Sequence, residues 1–171
     1  MTFSNLALDL DSLPQAQDLE LKNLDPRYPK EVRTQHAITW AVLTLIAAIP
    51  VIIVIKPPGL RSFLWLLPTL LAVLGIAFTT LATNMAKAKK MALRDHDIIF
   101  LSGIWWKKTV MLPRNRVQHI ELSSGPLQRK FGLASLKFYT AGGAAVDLQI
   151  DGLSRDQAKD LRDHVMQQHQ R

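Results

Sequence analysis

Polar and apolar positions divide the chain into three regimes. Residues 37–55 and 62–83 contain no charged side chain, in runs of 19 and 22 residues. At 1.5 Å rise per residue each run makes a helix of about 28 Å or more, close to the roughly 30 Å of a bilayer's hydrocarbon core. Buried helices of soluble proteins rarely continue so long without a polar stripe. Between the runs lie only Lys56, Pro57, Pro58, Gly59, Leu60 and Arg61, too few for another element. The two helices are therefore expected to form an antiparallel transmembrane hairpin.

From Arg94 onward the apolar residues recur at shorter spacing. Residues 97–104, 109–112 and 117–123 are rich in strand formers, and Pro113 stops the second of these runs. Residues 133–140 alternate, with Ala134, Leu136 and Phe138 on one side and Ser135, Lys137 and Tyr139 on the other. Residues 145–150 alternate again, with Val146, Leu148 and Ile150 expected to point inward. Period-two runs at such spacing predict an antiparallel sheet with one buried face. Ser154 followed by Gln157 is a capping box, and Ala158, Leu161 and Val165 then recur at helical spacing. The expected soluble part is an α+β unit closed by a C-terminal helix.

Before the hairpin, residues 1–36 read as an irregular cytoplasmic tail. Asp9, Asp11, Asp18 and Glu20 precede the first apolar run, which starts too late for a secretory signal. The sequence thus divides into a tail (1–36), a membrane hairpin (37–83, with helices 37–55 and 62–83) and a soluble domain (84–171). Charge follows the same division. The formal net charge of +7 places −2 on the tail, +2 on the hairpin and +7 on the last segment. Arg27, Lys30 and Arg33 flank the first helix, and Lys87, Lys89, Lys90 and Arg94 follow the second, against Lys56 and Arg61 in the loop. Basic flanks stay on the cytoplasmic side, so a two-pass protein with both termini in the cytoplasm is expected. Trp40 and Trp65 fall near helix ends, where indoles suit the headgroup layer.

Residues 125–143 read GPLQRKFGLASLKFYTAGG. Gly125 permits a turn, and Pro126 can open a short helix at a position whose amide needs no partner. Leu127 and Phe131 then face inward, Gly132 ends the turn left-handed, and Gly142 and Gly143 form the next turn. Every residue of the motif has a structural task. This stretch, together with Lys107-Lys108-Thr109 and the run from Leu112 to His119 (LPRNRVQH), resembles the membrane-bound bacterial pleckstrin-homology domain of YdbS-like proteins. In that family a two-helix membrane hairpin precedes one cytoplasmic domain. The resemblance implies a bent antiparallel β-barrel or sandwich closed by a C-terminal helix, in the bacterial cytoplasmic (inner) membrane, with no catalytic residue to carry over.

The residues present no catalytic, cofactor or metal site. The chain has no cysteine, which removes thiolate chemistry and disulfides. His119, Ser123 and Ser124 lack an acidic partner, and the glycine pair lacks the lysine of a phosphate loop. The basic residues come with no nucleic-acid stacking motif, which argues against nucleic acid, and no small-molecule substrate is indicated. What remains is a surface for a membrane or a protein. Its candidates are the exit lysines Lys87, Lys89 and Lys90 with Arg94, the tip Trp105, Trp106, Lys107 and Lys108, and the turn arginines Arg114 and Arg116. The expected role is a binding or scaffold module whose partners are the bilayer and an unidentified membrane protein or a second copy. The alternative is a sensor of anionic lipid headgroups.

Overall fold

A computed structural model describes residues 21–53, 63–140 and 146–167. The expectations for residues 1–20, the 56–61 loop and the Gly142-Gly143 turn lie outside the described residues. In chain order the elements are β1 (Lys22–Asn23), α1 (Tyr28–Ile53), α2 (Leu66–Ala88), β2 (Lys90–Leu93), β3 (Asp97–Ser102) and β4 (Lys108–Pro113). A 3-10 turn (Arg114–Arg116) then leads into β5 (Val117–Ser123), α3 (Pro126–Phe131), β6 (Leu133–Thr140), β7 (Leu148–Ser154) and α4 (Arg155–Gln167).

Helices α1 and α2 pack against each other and are long and apolar enough to cross a membrane. Most of their large side chains, including Leu45, Ile53, Val73 and Ile76, are exposed rather than packed inside the protein. The Trp40 side chain sits on Gly75, where an added Cβ would come within 2.8 Å of Trp40 Cβ and 2.9 Å of its ring Cγ, and the ring stacks on Phe78 with centroids 5.6 Å apart. Both helices extend beyond the charge-free runs. The first begins at Tyr28 instead of Ala37, and the second continues to Ala88 instead of stopping at Thr83.

The strands form two antiparallel sheets, β1-β2-β3-β4 and β5-β6-β7. They do not close into a barrel, which corrects the barrel expectation. Pro113 has no amide hydrogen for a ladder, and the 3-10 turn carries the chain from the first sheet into the second. The sheets instead share one core. Ile98, Phe100 and Leu112 of the first sheet meet Val117, Ile120, Leu136, Phe138 and Ile150 of the second. Helix α4 adds Ala158, Leu161 and Val165 to the same cluster. Its capping box is present, with Ser154 N–H donating to Gln157 Oε1 and Gln157 N–H donating to Ser154 Oγ, each at 3.2 Å. Strand β7 starts at Leu148, leaving Val146 exposed rather than inward, because Asp147 turns the chain by bonding back to β6.

The register of the first sheet orients the domain on the hairpin. Lys90 pairs with Asn23 on one side and Leu101 on the other, and Leu101 pairs with Thr109. Both Asn23 and Lys90 connect to the hairpin within a few residues, so this row is the helix-proximal end of the sheet. Leu93, Ile98 and Leu112 lie at the opposite end.

Candidate functional site

The base of the hairpin is seated in the domain by residues that precede the charge-free run. Leu24 and Tyr28 belong to the core cluster, and Glu31, six residues before that run begins, is only 3% exposed. Two glycines with left-handed backbone receive this segment. Gly152 (φ +76°) lies under the Tyr28 ring, so close that an added Cβ would fall 2.2 Å from Tyr28 Cγ. Gly132 (φ +69°) faces the Arg27 guanidinium, with 3.0 Å from an added Cβ to Nη1. The Asp25 N–H donates to Gly152 O at 3.0 Å. Arg27 is fixed in turn by two side-chain bonds to Asp25, at 2.9 and 2.8 Å, which hold that carboxyl below the usual aspartate range.

Lys89 completes the junction from the other helix. Its ammonium donates to the Tyr28 hydroxyl at 2.8 Å and lies 3.5 Å from Asp151 Oδ2. Burial disfavours the charged lysine, but these two oxygen partners outweigh it and raise the lysine above its ordinary range. Burial, followed by the nearby Asp151 charge, pushes the Glu31 carboxyl up. The GPLQRKFG motif therefore has a positional task as well as a local one. Helix α3 packs against the start of α1, and Gly132 receives Arg27. Within the motif, Gln128 accepts from Gly125 N–H at 3.0 Å and donates to Ser135 Oγ at 3.0 Å, while Phe131 is half-buried against the core. Leu127 is half-buried as well, and Pro126 opens the helix.

The basic and aromatic candidates separate into three places. Lys87 and Lys90 are exposed at the helix-proximal end, whereas Lys89 is committed to Tyr28 and Asp151. Trp105, Trp106, Lys107 and Lys108 form the exposed β3–β4 tip, beyond that same end of the sheet. Arg94 and the turn arginines lie at the opposite end and do not join them. Arg94 approaches Asp97 at 3.7 Å, and Arg116 is exposed. Arg114 is corrected as a surface candidate because it is 4% exposed. Its guanidinium donates to the carbonyls of Arg94 and Asp95 at 3.1 Å and of His164 at 3.2 Å, tying the β2–β3 turn to α4.

A groove of about 810 Å³ runs between the β1–β2 edge and α4. Leu24, Met91, Leu153 and Leu161 contribute its apolar lining, and Lys22, Arg94, Asp160 and His164 supply polar groups. No sequence pattern marks this groove, because β1 has two residues and no periodicity.

A family model described as bacterial PH domain matches residues 36–169. The UPF0699 transmembrane protein YdbS of Bacillus subtilis (strain 168) is 33% identical over 107 residues, covering 63% of this chain and 62% of that protein. The aligned part thus spans less than two thirds of that relative. No solved structure matches the chain.

Proposed function

Since the chain belongs to the bacterial PH domain family and is a membrane protein, we propose that it is a non-enzymatic platform at the cytoplasmic face of the bacterial inner membrane. Its domain binds or scaffolds another membrane protein, with both termini in the cytoplasm. The observation that carries this reading is the junction. Only Lys89 separates α2 from β2, and Tyr28 is clamped between Gly152 and Lys89. A domain held this way keeps a fixed attitude to its helices, which suits presentation of a surface to a neighbour in the same membrane. The basic flanks Arg33, Lys87 and Lys90, set against Lys56 and Arg61 in the loop, support the orientation. The groove beside β2 supplies an apolar partner surface with charged groups around it.

The absence of cysteine makes the test direct. Single substitutions Gly59→Cys in the loop and Asp163→Cys on α4 are probed in spheroplasts with a membrane-impermeant maleimide. Labelling is expected at position 59 alone; labelling at 163 in sealed cells overturns the orientation. A photo-crosslinking residue at Leu93, on the groove, is expected to give one discrete adduct with a membrane protein. If positions 93, 160 and 164 all fail to give an adduct in cells, the platform reading fails.

A further inference from the structure

Trp105 and Trp106 are 76% and 85% exposed, the least covered large apolar side chains among the described residues. Their placement follows from the sheet register. Strand β2 leaves the end of α2 at Lys90, and Leu101 of β3 lies directly opposite it. Strand β3 then runs past that level through Ser102 into the tip, and α2 and β3 are in contact. At about 3.3 Å per residue, Trp105 reaches at most roughly 13 Å beyond Leu101, on the side of the sheet where the helices join it. The tip is also tightly shaped. Gly103 has φ +96°, and an added Cβ would sit 2.0 Å from the Trp106 carbonyl oxygen, so the turn folds onto its glycine and leaves both indoles outside. Lys107 and Lys108 follow them and are exposed.

We infer that this tip is a third membrane contact, in which Trp105 and Trp106 enter the headgroup layer of the bilayer that carries the hairpin while Lys107 and Lys108 engage anionic lipid phosphates. Indoles favour that layer because the ring is apolar and its N–H still finds a polar partner. Lysines beside them gain from the negative surface potential of an anionic leaflet. Lys87 and Lys90, exposed at the same end of the sheet, extend the basic surface. Two helices and a lateral tip would fix the tilt of the domain, and anionic lipid would set how firmly. The inference adds a lipid contact to the platform reading and stands without its cytoplasmic orientation, since the test below uses vesicles with identical leaflets.

The chain has four tryptophans, so the double substitution Trp40→Phe and Trp65→Phe leaves emission from the tip alone. The full chain carrying it is reconstituted in phosphatidylcholine vesicles with or without phosphatidylglycerol. Quenching is read with a headgroup-labelled nitroxide lipid and with acrylamide in the water. In anionic vesicles the lipid label is expected to quench the tip and acrylamide to be excluded. Lys107→Glu with Lys108→Glu should then lower the docked-to-undocked ratio by about tenfold or more, leaving the circular dichroism melt unchanged. Raised salt should act in the same direction. A tip open to acrylamide and untouched by the lipid label in anionic vesicles overturns the inference. A tip shielded from both has a second copy of the chain as its cover, which also overturns it. Equal docking in neutral vesicles, unaffected by the charge reversal, removes the lysines from the contact and refutes the anionic-lipid claim.

Discussion

Gly152 offers the sharpest test of how hairpin and domain are joined. An alanine there must adopt φ +76°, and its Cβ would lie 2.2 to 2.6 Å from Cγ and both Cδ atoms of Tyr28. The left-handed backbone costs an L-residue about 1–2 kcal/mol, and forcing extra volume into a packed contact costs about 1–3 kcal/mol more. Gly152→Ala is therefore expected to destabilise the wild-type domain by about 2–5 kcal/mol. Tyr28→Ala alone should cost about 3–5 kcal/mol, as for other buried aromatics. With the ring gone, Gly152→Ala retains only its backbone term, so the two changes should couple by about 1–3 kcal/mol. Tyr28→Phe separates ring from hydroxyl, since it removes the bond to Lys89 but keeps the clash, and Gly152→Ala should cost as much there as in wild type. Urea titration of the full chain in mild detergent micelles, read by pulse proteolysis, supplies the four corners of the cycle. Equal costs of Gly152→Ala in the wild-type and Tyr28→Ala backgrounds would refute the ring contact as the seat of the hairpin.

Two further expectations use the same assay. Arg114→Ala should lose about 2–4 kcal/mol because three carbonyls lose their donor, Arg114→Lys should not restore it because one ammonium cannot reproduce a planar fork, and exposed Arg116→Ala should stay within about 0.5 kcal/mol; an exposed-site value for Arg114→Ala would refute its clamping role. Glu31 titrates above its ordinary value of 4.5 in the folded chain, so above that value the folded state holds a proton that the unfolded state releases, and stability falls as pH rises through the window. Glu31→Gln should flatten that slope and be the more stable protein at its upper end; an unchanged slope would show that Glu31 is not its source.

Much of the architecture was legible because it rests on local patterns. Two uncharged runs mark α1 and α2, the alternation in residues 133–140 marks β6, and the Ser154–Gln157 box marks the start of α4. The GPLQRKFG stretch likewise shows its short helix and its left-handed glycine. What escaped depends on partners far away in sequence. Residues 28–36 contain Lys30, Glu31 and Arg33 and read as a polar flank, yet they are helical, with Tyr28 bonded to Lys89 sixty-one residues later. Residues 90–93 read as a basic exit, but Met91 and Ala92 are drawn into a ladder by β3. Arg114 stands in a run of basic residues that looks solvated, and its burial comes from carbonyls at positions 94, 95 and 164. Barrel closure was an expectation of resemblance, and the Pro113 turn decides against it.

The topology ties the membrane helices mechanically to the domain. Strands β1 and β2 are ladder partners, and the whole hairpin lies between them in sequence. The membrane helices are thus an insertion into a sheet rather than an anchor joined by a linker. Tilting α1 moves Tyr28 against Gly152 of β7, and tilting α2 moves Lys89 against Asp151 of the same strand. Both helices therefore act on one strand of the second sheet while their ends are tied across the first. Strand β7 continues directly into α4, which carries one wall of the groove. If a neighbour changed the helix crossing, β7 is the contiguous element through which that change would reach the groove, and any such coupling would run equally in the reverse direction.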